Sequence, residues 1–174
     1  MKSKWRSIGA LLAGGLLGLT ALTSDGATAD DAQTTAAASP IYGVTIPKGY
    51  REWQMIAPAA EAAPLDELRV VLGNETAIKA IRNATLPFPD GTILVKLAYR
   101  KKQSDAFAPA TVPGQPTTVQ VMVKDAKRYA STGGWGFGRF INGVPVDQAQ
   151  HETCFACHAA RVKDHDYVFT RFAP

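Results

Sequence analysis

Long hydrophobic runs are scarce in this 174-residue chain. The one continuous apolar stretch, IGALLAGGLLGLTAL at residues 8–22, is shorter and richer in glycine than a membrane span, which needs about 20 mostly apolar residues. No other segment is apolar enough to cross a bilayer. The sequence therefore excludes further membrane spans.

The flanks of this short run are typical of a secretory signal peptide. Lys2, Lys4 and Arg6 precede it, and the small-residue pattern A-T-A at residues 27–29 suits a cleavage site. We predict a signal peptide at residues 1–29 and a periplasmic mature protein with no remaining membrane contact. The alternative is an N-terminal anchor that is retained.

A concentrated basic surface is also missing. The chain has 19 Lys and Arg against 15 Asp and Glu, and removal of the leader takes away three bases and one acid, leaving 16 against 14. Nucleic-acid binding requires basic residues clustered on one face, and the only cluster lies around Arg100 to Lys102. The sequence therefore predicts no nucleic-acid partner.

The mature chain suits one domain. Residues 30–45 begin with DDAQTTAAASP, which is poor in large apolar residues and predicts a flexible lead-in. Residues 46–174 show no repeat and no second change of composition. We expect them to form a single domain around one core.

Three segments predict β-strands. TILVKLAYR and TTVQVMVK alternate strictly, so that Lys96 and Gln120 point to the face opposite Val95 and Val121. GGWGFGRFING places Trp135 and other large apolar residues on one face and glycines on the other. This alternation indicates half-buried, antiparallel strands.

Helices are predicted to be few. Asn74 can cap a short helix over NETAIKAIRN, the segment around the cysteines is predicted helical, and DYVFTRF is a further strand candidate. The fold class is therefore α+β, a predominantly antiparallel sheet with a few short helices.

Cysteine occurs only twice, at Cys154 and Cys157, and His158 follows at once. Four interpretations compete: a structural disulfide, whose loop is too short to contribute much chain entropy; a thioredoxin-like redox pair, which would require a βαβ context; a zinc site completed by His151 or His165; and covalent haem attachment. In the last, each thiol adds to one haem vinyl group and His158 binds the iron. An exported chain with no other cysteine favours one haem c.

No methionine follows His158, although electron-transfer cytochromes c usually supply one downstream of the cysteines. Met55 and Met122 lie upstream in apolar segments, where methionine usually fills core space. His151 and His165 each lie seven residues from His158, and we interpret both as surface histidines. The leading hypothesis is an open position on the far side of the iron.

The ordered set GYREW, FPDGTILVK, VMVKDAKRY, CFACH and DYVFTRF resembles the cytochrome P-460 family, which includes cytochrome c′-beta. The resemblance covers about residues 47–174. It implies a β-rich homodimer with one c-type haem, Cys154 and Cys157 as thioether sites and His158 as the proximal ligand. It also implies chemistry on hydroxylamine or nitric oxide, with a soluble acceptor such as another cytochrome c.

Two positions correspond to residues that take part in the chemistry of this family. Members that oxidise hydroxylamine have a lysine bonded to the haem macrocycle, which corresponds to Lys96, and a distal glutamate, which corresponds to Gln120. Glutamine cannot take up a proton at working pH. Asp125 is the candidate substitute base, on the opposite strand face. The hypotheses are thus a hydroxylamine oxidoreductase, a non-catalytic nitric-oxide-binding protein, and a simple electron carrier.

Overall fold

The computed structural model describes residues 37–174. The predicted signal peptide and the first part of the lead-in lie outside the described residues. Across the described part of the chain, no helix is both long enough and apolar enough to cross a membrane.

The described residues form one six-stranded sheet with two helices. All neighbouring strands are antiparallel, and the order in the sheet follows the order in the chain. The predicted α+β class is confirmed. The elements in chain order are β1 (Gln54–Ala60), β2 (Glu67–Gly73), α1 (Glu75–Arg82), β3 (Ile93–Gln103), β4 (Thr111–Lys124), β5 (Trp135–Ile141), β6 (Val144–Pro145) and α2 (Gln148–Val162), with short 3-10 turns at Tyr50–Glu52, Ala130–Thr132 and Lys163–His165.

The two strands predicted from strict alternation are the central strands β3 and β4. Both are longer than the segments TILVKLAYR and TTVQVMVK that predicted them. Leu94, Val95, Leu97 and Ala98 are all buried, although they alternate between faces. The prediction that this strand is half-buried is therefore wrong for its first half, because other parts of the chain cover the sheet on both sides there.

Strand β5 depends on its glycines for close packing. A Cβ at Gly136 would overlap the ring of Tyr129, whose hydroxyl donates to the Tyr42 carbonyl oxygen at 3.0 Å. Trp135 and Phe137 are buried, as predicted for one face, whereas Ile141 is 47% exposed. The glycine face thus lets an aromatic ring lie directly on the backbone.

Helix α1 begins where the sequence predicts. The Asn74 side chain accepts from the Ala77 backbone N–H at 3.0 Å, which is the usual N-cap bond. The same oxygen accepts from the N–H of Ile93 at 3.1 Å, so the start of α1 is joined to the start of β3.

Part of the predicted flexible lead-in is packed. Ser39, Tyr42 and Val44 are all less than a tenth exposed. The Ser39 hydroxyl donates to the Phe137 carbonyl oxygen at 2.8 Å, which joins this segment to β5. The prediction of flexibility is therefore wrong for residues 39–44, because two apolar side chains among small polar ones were enough to join the core.

The last predicted strand, DYVFTRF, is absent from the described chain. Asp166 and Tyr167 have φ angles of 49° and 63°, in the left-handed region that an extended strand does not contain. Val168 is still buried, at 1% exposure. The alternation of apolar residues therefore reflected burial of an irregular segment and not pairing with the sheet.

Candidate functional site

Helix α2 carries the cysteines and His158. Asp147 caps its start, accepting from the Gln150 N–H at 2.9 Å. Side chains three, four and seven residues apart share a helix face, so His151, Cys154 and His158 point the same way. Cys154 and His158 are accordingly half-buried, while Cys157, at the side of this face, is exposed.

His151 anchors this helix to the sheet. It is fully buried, its Nδ1 lies 2.8 Å from the Asp147 carbonyl oxygen, and its Nε2 accepts from the Arg139 backbone N–H at 3.1 Å. The prediction of a surface histidine is therefore wrong. Because both ring nitrogens have partners within the protein, His151 acts as a structural link between α2 and β5.

The His158 imidazole is held in one orientation. Its Nδ1 lies 2.6 Å from the Tyr167 carbonyl oxygen, which can only accept, so Nδ1 carries the proton and Nε2 keeps its lone pair. Phe137 and Phe169 flank the ring at centroid distances of 5.1 and 4.9 Å. Burial lowers the pKa of His158, opposed by the bond to Tyr167 and reinforced by Lys96. Burial therefore favours the neutral imidazole that a metal ion requires.

Three polar residues of the sheet are opposite one another beneath this helix. Lys96 of β3 pairs in register with Gln120 of β4, and Gln120 pairs with Arg139 of β5. Directly paired residues of antiparallel strands share a face of the sheet. His151 joins α2 to Arg139, and the Phe155 and His158 rings contact Phe137 on this same face. Helix α2 therefore covers the Lys96 face.

The Lys96 amine is in an environment that disfavours its charge. Burial, with the neighbouring Arg69 and Arg139 guanidinium groups, lowers the pKa of Lys96 from 10.5 to about 8. Glu67 and Cys154 act in the opposite direction on the pKa of Lys96. The lowered pKa makes a neutral, nucleophilic amine easier to form here than in a solvated lysine.

The Cys154 thiol belongs to the same group of side chains. Burial raises its pKa, while Arg139 and Lys96 partly offset the effect. Its Sγ lies 3.7 Å from the Gln150 carbonyl oxygen within α2. Lys96 and Cys154 each affect the pKa of the other, and Lys96 also lowers the pKa of His158, which agrees with the placement of α2 over the Lys96 face.

Gln120 and Asp125 are placed very differently. The Gln120 amide nitrogen donates to the Thr118 hydroxyl at 3.1 Å, on the Lys96 face. Asp125 lies just past the end of β4, five residues further and so about 16 Å along the strand direction. Its carboxylate accepts from the backbone N–H groups of Lys127 and Arg128 at 3.1 and 2.9 Å. The structure thus brings Gln120 to the site, and Asp125 stabilises a turn.

Comparison with protein families gives one match over most of the chain. The model of the family described as cytochrome P-460 matches residues 47–170. The chain belongs to the cytochrome P-460 family. Comparison with curated proteins gave no match.

A cytochrome of this family binds haem, and the residues present fit that group. His158 offers a neutral nitrogen whose orientation is fixed by a second hydrogen bond, as is usual for a metal-ligating histidine. Cys154 and Cys157 are both free thiols in the turn of α2 that precedes it. These three residues would hold the haem of a cytochrome P-460.

Two of the competing interpretations of the cysteines, the zinc site and the thioredoxin-like pair, find no support among the described residues. Within residues 37–174 no three His, Cys, Asp or Glu side chains are grouped to hold a metal ion. His151 is engaged elsewhere, and the His165 Nδ1 lies 2.8 Å from the Val168 carbonyl oxygen. The sheet of the described residues is antiparallel throughout and provides no βαβ unit for a thioredoxin-like pair.

The charged neighbours of Lys96 could not be predicted from strand alternation alone. Arg139 lies in register with Gln120, and Arg69 is in β2, opposite Ala98. Arg69 is paired with the buried carboxylate of Glu67, which also accepts from the Thr117 hydroxyl at 2.7 Å. Strand alternation places each residue on a face, but only the register between strands brings these cations together.

The two upstream methionines differ in their position relative to the candidate site. Met55 is 49% exposed on the edge strand β1. Met122 lies on the Lys96 face between Leu94 and Phe137 and packs against the core. Of the two, only Met122 lies on the same face as the candidate site.

Proposed function

We propose that this cytochrome P-460 is an exported protein that attaches one haem c covalently and acts on hydroxylamine or nitric oxide. Cys154 and Cys157 would form the two thioethers, and His158 would be the proximal ligand. The observation that carries the proposal is the 2.6 Å contact between His158 Nδ1 and the Tyr167 carbonyl oxygen, beside two free cysteines. The haem, when bound, supplies a metal position where a small nitrogen compound can bind and exchange electrons.

The protein side chains supply orientation and charge. The Tyr167 carbonyl oxygen fixes the tautomer and the direction of His158. Lys96 is the residue proposed to bond to the haem macrocycle, and its lowered pKa of about 8 supports this because only the neutral amine is nucleophilic. Arg139, next to Gln120 in register, adds positive charge on the same face.

The absence of a carboxylate at Gln120 favours a second candidate function. Oxidation of hydroxylamine removes protons as well as electrons, whereas binding needs no base. The carboxylate of Asp125, the candidate substitute base, accepts hydrogen bonds from backbone N–H groups of the turn after β4. A nitric-oxide-binding protein of the c′-beta kind, with slow turnover of hydroxylamine, is therefore the alternative that the site supports. A simple electron carrier would need a strong sixth ligand, for which Met122 is the candidate on this face.

We also propose where the protein acts and with which partners. The leader at residues 1–29 supports secretion to the periplasm, where a soluble cytochrome c would be the redox partner. The resemblance to the family supports a homodimer. Equilibrium sedimentation of the haem-loaded protein would decide between one and two copies.

The test is covalent haem in the purified mature protein. The haem should remain with the denatured chain after acid-acetone extraction, and Cys154→Ala with Cys157→Ala should leave the chain colourless. Ala106→Ser, an exposed change in the β3–β4 connection, is the control and should load haem normally. Extractable haem, or bound zinc without a Soret band, would refute the proposal.

Lys96 decides which branch of the family the protein follows. If its amine is bonded to the macrocycle, the ferrous Soret band should be broad and strongly red-shifted, and Lys96→Ala should restore an ordinary c-type spectrum. An ordinary spectrum in the parent protein, with a mass equal to chain plus unmodified haem, would favour the nitric-oxide-binding alternative.

A further inference from the structure

The residue that fixes His158 has an unfavourable backbone conformation. Asp166 and Tyr167 both have positive φ angles, 49° and 63°, although neither is glycine. Side chains with a Cβ rarely adopt this region, and surrounding contacts must maintain it. The Tyr167 carbonyl oxygen that accepts from His158 Nδ1 belongs to this two-residue turn.

A buried ion pair holds the Asp166–Tyr167 turn in place. The Lys124 Nζ donates to both carboxylate oxygens of Asp166 at 2.8 Å, and the two side chains are only 6% and 9% exposed. Asp166 also accepts from the Phe88 backbone N–H at 2.8 Å. Because these charges are out of water, their geometry is more strictly defined than that of a surface pair.

Lys124 also fixes the space that Tyr167 occupies. Its Nζ donates to the Gly133 carbonyl oxygen at 2.9 Å, and a Cβ at Gly133 would overlap the Tyr167 ring. The Tyr167 N–H donates to the Val162 carbonyl oxygen at 2.9 Å, at the end of α2. One ammonium group therefore connects β4, the β4–β5 turn and the segment that bonds to His158.

We propose that Lys124 and Asp166 are positioning residues for His158. The ion pair holds the Asp166–Tyr167 turn so that the Tyr167 carbonyl oxygen accepts from Nδ1, which leaves the lone pair of Nε2 for the iron that His158 would hold. This inference rests on the proposed role of His158 as proximal ligand. A strong bond at Nδ1 makes an imidazole a better electron donor to its metal and lowers the reduction potential of the iron.

The experiment compares Asp166→Asn and Lys124→Met/Asp166→Asn with the parent, all as haem-loaded proteins. Asp66→Asn, which breaks the exposed Lys101–Asp66 pair, is the matched control for loss of a Lys–Asp contact. Ile78→Val, in α1, is the control for a small loss of stability in the core. The readouts are the reduction potential, the iron–histidine stretching frequency of the ferrous form and the melting temperature.

Both Asp166 variants should show a more positive potential and a lower iron–histidine frequency than the parent. The double variant leaves no unpaired buried charge, so it should regain part of the melting temperature while keeping the spectroscopic change. In the diamagnetic ferrous carbon monoxide form, the His158 Nδ1 proton should exchange with solvent about 10-fold faster or more. Both control variants should match the parent in potential and frequency.

A lower melting temperature with unchanged potential, frequency and proton exchange would show that the pair is structural only and would overturn the proposal. If Asp166→Asn fails to fold, Asp166→Glu and Lys124→Arg, which keep both charges but move them, give the same comparison. A parent protein without covalent haem would instead refute the proposed function, which the extraction test detects separately.

Discussion

Lys96 is the residue whose environment departs furthest from that of an ordinary strand lysine. It is half-buried among Arg69 and Arg139, and its pKa is lowered to about 8. The pKa of a solvated lysine would not be lowered in this way. A structural lysine would be paired with a carboxylate, as Lys124 is with Asp166. The combination of burial and unfavourable charge is typical of reactive sites.

Gln120 is the residue at which binding and turnover can be separated. Gln120→Glu should raise the rate of hydroxylamine oxidation by about 100-fold or more, the usual contribution of a positioned general base, with little change in affinity. Steady-state kinetics with a soluble acceptor would measure both, in samples whose Lys96 linkage has been checked by absorption spectrum.

Two further variants make this comparison specific. Gln120→Leu removes the polar group without adding a base and should not raise the rate. Asp125→Asn should leave the rate unchanged, because its carboxylate serves the turn amides. Fast oxidation by the parent protein that Gln120→Glu does not alter would show that another group carries the proton.

At the scale of elements, short sequence patterns correctly predicted several strands and helices whose formation depends on neighbouring residues in the chain. The alternation in β3 and β4, the Asn74 cap of α1 and the helix around Cys154 all appear in the structure. Strand β1 is not among the strands predicted from the sequence, and it tolerates Pro58 because it is an edge strand. The prediction of a C-terminal strand is wrong because alternation does not reveal the left-handed backbone conformation of Asp166 and Tyr167.

Asn74 joins two elements and gives a test of that connection. Its side-chain oxygen accepts from Ala77 and Ile93 N–H groups, and its amide nitrogen donates to the Gly91 carbonyl oxygen at 2.8 Å. Asn74→Ala should therefore lower the free energy of unfolding by about 2–3 kcal/mol, more than loss of a helix cap alone. Urea denaturation followed by circular dichroism would measure the change.

Comparison with other caps isolates the strand connection. Asn74→Asp keeps the accepting oxygens and should cost less than about 1 kcal/mol. Among its described contacts, the Asp147 carboxylate accepts only from the Gln150 N–H. Asp147→Ala should therefore lower the free energy of unfolding by about 1 kcal/mol. Equal losses for Asn74→Ala and Asp147→Ala would mean that the bonds to Ile93 and Gly91 contribute nothing.

At the scale of the whole molecule, the site combines residues that are distant in sequence. The Cys-x-x-Cys-His segment could be predicted because its residues are adjacent in one helix turn. Lys96, Gln120 and Arg139 meet only because successive strands of a simple meander pair in register. Tyr167 could not be predicted as the partner of His158, since a backbone carbonyl leaves no mark in the sequence.

The proposed export predicts which form of the chain carries the haem. We expect the purified protein to begin at residue 30, because the A-T-A pattern at residues 27–29 suits signal peptidase. Its mass should equal that of residues 30–174 plus one haem, and it should be recovered from the periplasmic fraction. Intact-mass spectrometry together with fractionation provides the measurement.

A processing variant supplies the control for this last expectation. Ala27→Lys with Ala29→Lys replaces both small residues of the cleavage pattern, so residues 1–29 should stay attached and their apolar run should hold the protein in the membrane fraction. The haem should still load, since Cys154, Cys157 and His158 are unchanged. An uncleaved parent in the membrane fraction would instead establish the retained anchor, and the apolar run at residues 8–22 would then be part of the working protein.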